Sequence, residues 1–106
     1  MKMICYDDIT GTGVAAQLTT LLKVGGVAIP TQKNWDTKFW QAVMLTETGT
    51  SRIGDANVSA TNGIPIGTPN NGQFVPPVGV GTEKFEFSDI WVLIKSGDVM
   101  SVARWV

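Results

Sequence analysis

The octapeptide Phe39-Trp40-Gln41-Ala42-Val43-Met44-Leu45-Thr46 decides how the rest of the chain is read. With a period of two, Phe39, Gln41, Val43 and Leu45 fall on one face, and Trp40, Ala42 and Met44 on the other. Both faces are mostly apolar. Such a strand suits the centre of a packed sheet, or a sheet covered by a neighbouring subunit, better than an open edge. Outward from it, Glu47-Thr48-Gly49-Thr50 reads as a turn and Ser51-Arg52-Ile53 as the return strand of a hairpin.

The next residues, Gly54-Asp55-Ala56-Asn57, form a tight turn or bulge in which Asp and Asn can accept from nearby backbone N–H groups. Val58 to Ile66 reads as irregular and polar. The alternating oxygens of Asp55, Asn57, Ser59 and Thr61 invite a calcium reading, but one carboxylate without a closing bidentate Glu is weak ligation, so a structural turn is expected. Gly67 to Gly81 is turn-rich, with Pro76-Pro77 unable to donate to a ladder and Phe74-Val75 forming a short strand. Glu83 to Ile94 starts with Phe85 and Phe87 alternating against Lys84 and Glu86, then turns continuously apolar from Ile90. Lys95-Ser96-Gly97-Asp98 turns the chain back. Val99 to Val106 returns, with Met100, Val102 and Val106 on one face and Ser101, Ala103 and Trp105 on the other.

Upstream, residues 1–13 read as an arm or first edge strand ending in Thr10-Gly11-Thr12-Gly13, whose glycines permit a turn with positive φ. Val14 to Leu22 mixes helix formers with a Thr pair. Its apolar spacing stops after two turns, and the segment is assigned as strand. Gly25-Gly26 closes it, and Val27-Ala28-Ile29-Pro30 is again extended. The polar loop Thr31 to Lys38 carries Trp35. No internal repeat or domain boundary is visible. One all-β domain is expected, a single antiparallel β-sandwich over residues 14–106 with a jelly roll among the forms it can take.

Composition narrows the function. In 106 residues, apolar side chains make up 43% and charged ones only 16%, the balance falling to Gly, Thr, Ser and Asn. Eight basic and nine acidic residues leave a formal charge of −1, with no Lys/Arg cluster to displace counterions from a phosphate backbone. Nucleic acid is not an expected partner. No apolar run nears the roughly 20 residues that span a bilayer, and Met1 to Asp8 lacks the apolar centre of a signal peptide, so synthesis in a cytosol without membrane insertion is expected. Cys5, the single cysteine, cannot form an internal disulfide and reads as a buried or half-buried small apolar residue. The chain has no histidine, which removes the commonest general base and a common metal ligand. The acids stand singly at turns and no G-x-S-x-G elbow exists. A non-enzyme without cofactor or metal is the expectation.

The run Arg52 to Ile66, RIGDANVSATNGIPI, is followed after a Gly/Pro loop by Asp89-Ile90-Trp91-Val92 and Gly97-Asp98-Val99-Met100-Ser101-Val102. Together these resemble small structural proteins encoded in tailed-bacteriophage genomes, a likeness covering roughly residues 39–106. The resemblance implies a compact β-sandwich in the virion and no catalytic residue. With the chain's size, it best suits a capsid decoration or cement protein, bound to the major capsid protein on the outside of the head and associating with itself, with a trimer as one form. Trp35, Trp40, Asp55, Asn57, Phe74 and Trp105 are the candidate protein–protein contacts. A tail, baseplate or head-fibre component is the alternative in the same setting. A carbohydrate-binding module using Trp35 and the Thr68 to Gly81 loop is the alternative from another class.

Overall fold

Two long strands form the spine of the molecule. In the computed structural model, which describes residues 2–28, 39–46, 48–66, 73–74 and 87–105, Phe39–Thr46 and Val99–Trp105 pair antiparallel from Trp105 opposite Phe39 to Val99 opposite Thr46. Numbered in chain order, the strands are β1 (Met3–Cys5), β2 (Ile9–Thr10), β3 (Ala16–Gln17), β4 (Lys23–Val24), β5 (Val27–Ala28), β6 (Phe39–Thr46), β7 (Ser51–Gly54), β8 (Ile64–Ile66), β9 (Gln73–Phe74), β10 (Trp91–Leu93) and β11 (Val99–Trp105). A single helical turn, α1 (Leu18–Leu21), and a 3-10 turn over Phe87–Asp89 complete the described elements.

The chain is all-β. One sheet runs β1-β11-β6-β9, with β2 also on β11; a second runs β3-β10-β7-β8; β4 and β5 make a separate two-stranded hairpin. Every strand pairing is antiparallel. Apart from β2, β4 and β5, the chain visits the sheets in the order first, second, first, second, second, first, second, first. One buried cluster draws on both: Trp40, Ala42, Met44, Met100 and Val102 from the first sheet, and Ile53, Ile66 and Val92 from the second. Leu18 and Leu22, four residues apart across α1, add two fully buried side chains.

The alternation read in residues 39–46 holds, and the Trp40 face is the inward one. Trp40 is 1% exposed whereas Leu45 is 53% exposed. At the far end the ladder slips: Val99 faces Thr46 but Met100 faces Met44, so Leu45 is the extra residue of a bulge. The partner strand repeats the pattern, with Met100 and Val102 buried.

Several expectations are corrected. Phe39–Thr46 and Ser51–Gly54 do not form a hairpin, because β7 pairs with β10 and β8 in the other sheet, and among the described residues 48–50 lead into it. Likewise β10 does not pair with β11, and the turn at 95–98 is a second crossing. Ile64–Ile66 is a strand rather than irregular chain, so 54–63 is the loop of a β7–β8 hairpin. Val14 to Leu22 is not one strand. Its first part, Ala16–Gln17, pairs with β10, then the chain turns helical, placing both Leu18 and Leu22 in the core. The expected strand from residue 83 is confined, within the described residues, to Trp91–Leu93, preceded by the 3-10 turn. Of the two forms expected for the N-terminal segment, residues 3–10 take that of the edge strand and not of a free arm: β1 lies at the edge of the first sheet, β1 and β2 both pair with β11, and Tyr6 and Ile9 are buried. Cys5 is exposed rather than buried, since it shares the outward face of β1 with Met3.

Both crossings are tied at one buried carboxylate. Asp98, 1% exposed, accepts from the Thr48 backbone N–H at 2.9 Å to each oxygen and from the Thr48 hydroxyl at 3.1 Å. The Lys95 N–H donates to the buried Ser51 hydroxyl at 3.1 Å. These bonds join residues 48–51 to the 95–98 crossing. Asp98→Ala is expected to cost about 2 kcal/mol, because hydrogen bonds to a charged acceptor are lost in a buried setting. Asp98→Asn, which keeps the shape, should cost less; urea unfolding midpoints measure both.

Candidate contact surface

The outward face of the first sheet is apolar. Residues paired across a ladder share a face, so the register groups Met3 with Trp105, Cys5 with Ala103 and Gln41, and Ser101 with Val43. Met3 is 50% exposed, Cys5 is exposed, and Val43, Ala103 and Trp105 are half-buried. Leu45, pushed out by the bulge, extends this surface at the end of β6. Beneath it, the Arg104 Nε donates to the Tyr6 hydroxyl at 2.6 Å. Burial pushes the Tyr6 phenol above its ordinary range, and the Arg104 hydrogen bond and charge pull it partly back. The pair therefore stays a neutral phenol beside a guanidinium.

The 54–63 loop closes the end of the second sheet with its own polar groups. Asp55 Oδ1 accepts from the Asn57 N–H at 2.8 Å, and the Asp55 carbonyl accepts from the Val58 N–H at 3.0 Å. The Asn62 side chain donates to the Asn57 carbonyl at 2.9 Å, and Arg52 Nη1 to the Gly63 carbonyl at 2.9 Å. Val58, 5% exposed, anchors the loop in the interior. Asp55 and Asn57 are thus exposed but engaged in shaping the turn. Among the described residues no group of three or more His, Cys, Asp or Glu is placed to hold a metal ion.

The proposed contact residues do not converge on one site. Asp55 and Asn57 lie together at the end of β7, in the second sheet. Trp105 lies on the outer face of the first. Phe74 sits in β9, at the edge of the first sheet, and its side chain lies outside the described residues, as does all of Trp35. Trp40 is corrected: its ring is taken up by the core, because the inward positions of β6 are the even-numbered ones. Sequence reasoning missed Met3, Cys5 and Leu45 as exposed apolar neighbours of Trp105 and Val43. The signal available was the two-faced apolar pattern of residues 39–46, read together with the odd positions of the last strand.

Two concavities lie among the described residues. A cavity of about 20 Å³ between Ile9, Gly11, Val14, Val92 and Ile94 has room for about one water. An open depression of about 390 Å³ beside it is bordered by Asp8, Thr10, Thr20 and Lys23, all exposed. No helix among the described residues is long and apolar enough to cross a membrane. No family model, curated protein or solved structure matches the chain.

Proposed function

We propose that the chain is an auxiliary capsid protein of a tailed phage, a decoration or cement unit bound in many copies to the major capsid protein on the outside of the head. The structural observation that supports this reading is the order in which the chain visits its two sheets. The orders β1-β11-β6-β9 and β3-β10-β7-β8, with the first strand beside the last, support a jelly-roll arrangement. Jelly rolls recur in viral capsid domains. Because that architecture also serves lectins and small-molecule enzymes, the setting comes from the likeness carried by Arg52 to Ile66 and not from the fold.

The outer face of the first sheet supports an assembly role. Met3, Cys5, Leu45 and the half-buried Val43 and Trp105 supply the kind of apolar and aromatic centre that protein contacts use. In this reading the same face meets the capsid or a second copy, needs no cofactor, and works by shape and buried area.

Co-sedimentation with cognate expanded heads tests the reading. The wild-type chain is expected to pellet with heads to saturation, and Leu45→Asp to weaken that binding by at least about tenfold, equivalent to about 1.4 kcal/mol. Because Leu45 is half exposed at a bulge, the melting temperature of the variant should stay close to wild type. Absence of binding by the wild type contradicts the decoration role. Undiminished binding by the variant removes this face as the contact.

A further inference from the structure

The β4–β5 hairpin stands apart from both sheets. Lys23 to Ala28 are all exposed, Val24 to 48% and Val27 to 69%, so burial does little to hold it in place. Its ladder has only two residue pairs, Lys23 with Ala28 and Val24 with Val27, and a lone two-stranded hairpin is marginal in water. Its two-residue loop is Gly25-Gly26, with φ of 60° and 81°, the pair of positive values that a tight hairpin turn of this kind requires. Successive glycines are also the loosest loop a chain can build, since they lose the most freedom when fixed.

Something outside the hairpin must therefore fix it. Among the described residues, every hydrogen bond from the hairpin to the rest of the chain ends on Asp7, in the link between β1 and β2. The Asp7 carboxylate accepts from the Gly25 N–H at 3.0 Å and from the Gly26 N–H at 2.7 Å, one oxygen for each. The Asp7 N–H donates to the Lys23 carbonyl at 2.8 Å. Just before the hairpin, Leu22 is fully buried, which marks where the core's hold stops.

We infer that Asp7 is a latch: its carboxylate holds the Gly25-Gly26 tip and so sets the pose of the exposed valine-bearing hairpin, whose residues 24–28 are released when that carboxylate is removed, while the Asp7 N–H keeps Lys23 in place and the two-sheet core stays folded. Val24 and Val27 are then held in one orientation by hydrogen bonds to Asp7 instead of by packing. This stands independently of the capsid reading, because it concerns the free chain.

Backbone ¹⁵N relaxation and amide exchange on the intact chain test it. In the wild type, residues 24–28 are expected to show order parameters in the rigid range of about 0.85, like β11. In Asp7→Ala they should fall below about 0.6, while the amides of β6 and β11 keep their exchange protection. Asp8→Ala, at the neighbouring exposed acid, should leave the hairpin as it was. Four results overturn the latch: a hairpin already mobile in the wild type, one still rigid in Asp7→Ala, core protection lost together with the hairpin in that variant, or equal mobilisation by Asp8→Ala.

Discussion

Trp40→Ala is expected to destabilise the protein by about 3 to 5 kcal/mol, the range for truncating a buried aromatic side chain. Among the described residues Trp40 is the largest of the fully buried side chains, and it lies on the spine, on β6 directly opposite Arg104 of β11. Its ring belongs to the cluster that joins Met44, Met100 and Val102 of the first sheet to Ile53 and Val92 of the second. Removing it leaves a void between the sheets that neighbours on paired strands cannot close without breaking register. Since small domains are stable by only about 5 to 15 kcal/mol, a large fraction of molecules should unfold near physiological temperature. Urea denaturation followed by far-UV circular dichroism reads the loss. A midpoint within error of wild type would show that the ring faces outward, and with it that the inward face of β6 has been assigned the wrong way round.

Gly11→Ala should cost about 3 kcal/mol, for a different reason. Gly11 is buried where residues 11–13 pass the 94–98 crossing, and its N–H donates to the Asp98 carbonyl at 2.8 Å while its carbonyl accepts from Gly97 at 3.1 Å. A Cβ there would collide with the backbone carbonyl oxygens of Lys95 and Ile94, with the latter only 2.6 Å away. These carbonyls are themselves hydrogen-bonded, Ile94 to the Gly13 N–H and Lys95 to the Asp98 N–H, and cannot swing aside as a side chain tip can, so the added methyl must push the two segments apart and strain their hydrogen bonds. Gly25→Ala is the control. A Cβ at Gly25 meets nothing within 4 Å, so only the positive φ opposes it, at about 1 to 2 kcal/mol. Equal losses for the two variants would mean that the close approach at Gly11 costs no more than a strained φ does, contrary to this account.

Those two residues also mark how far the sequence could be read. The alternation of Phe39–Thr46 and of Val99–Trp105 was plain, and it correctly separated Trp40 from Leu45, but alternation alone says nothing about which face turns inward. That depended on what Leu18, Ile53 and Val92 bring from elsewhere. Gly11 could be read as a turn glycine; its φ is not positive, and its true constraint, the carbonyls of Ile94 and Lys95, is more than eighty residues away in the chain. The crossings at 47–50 and 95–98 were misread as hairpin turns because four residues with a central glycine suit either job. Only the pairing of β7 and β10 with each other, which is non-local, tells them apart.

Short elements failed for a related reason. Val14 to Leu22 carries balanced propensities, and burial of Leu18 and Leu22 decided between them. Of the contact candidates, the Asp55–Asn57 turn was legible because its bonds are local, two residues apart. The exposed patch of Met3, Cys5 and Leu45 was not, since it exists only after β1 and β6 have been brought to either side of β11. The Asp7 latch left no trace in the sequence either: an acid eighteen residues before a Gly-Gly pair has no pattern of its own.

The most direct test of the central claim is the copy number of this chain in purified phage particles, counted by quantitative mass spectrometry against the major capsid protein. An auxiliary capsid protein that follows the symmetry of the head should be present on the order of hundreds of copies per particle. A handful of copies, as for a tail or baseplate part, or none at all, would contradict it.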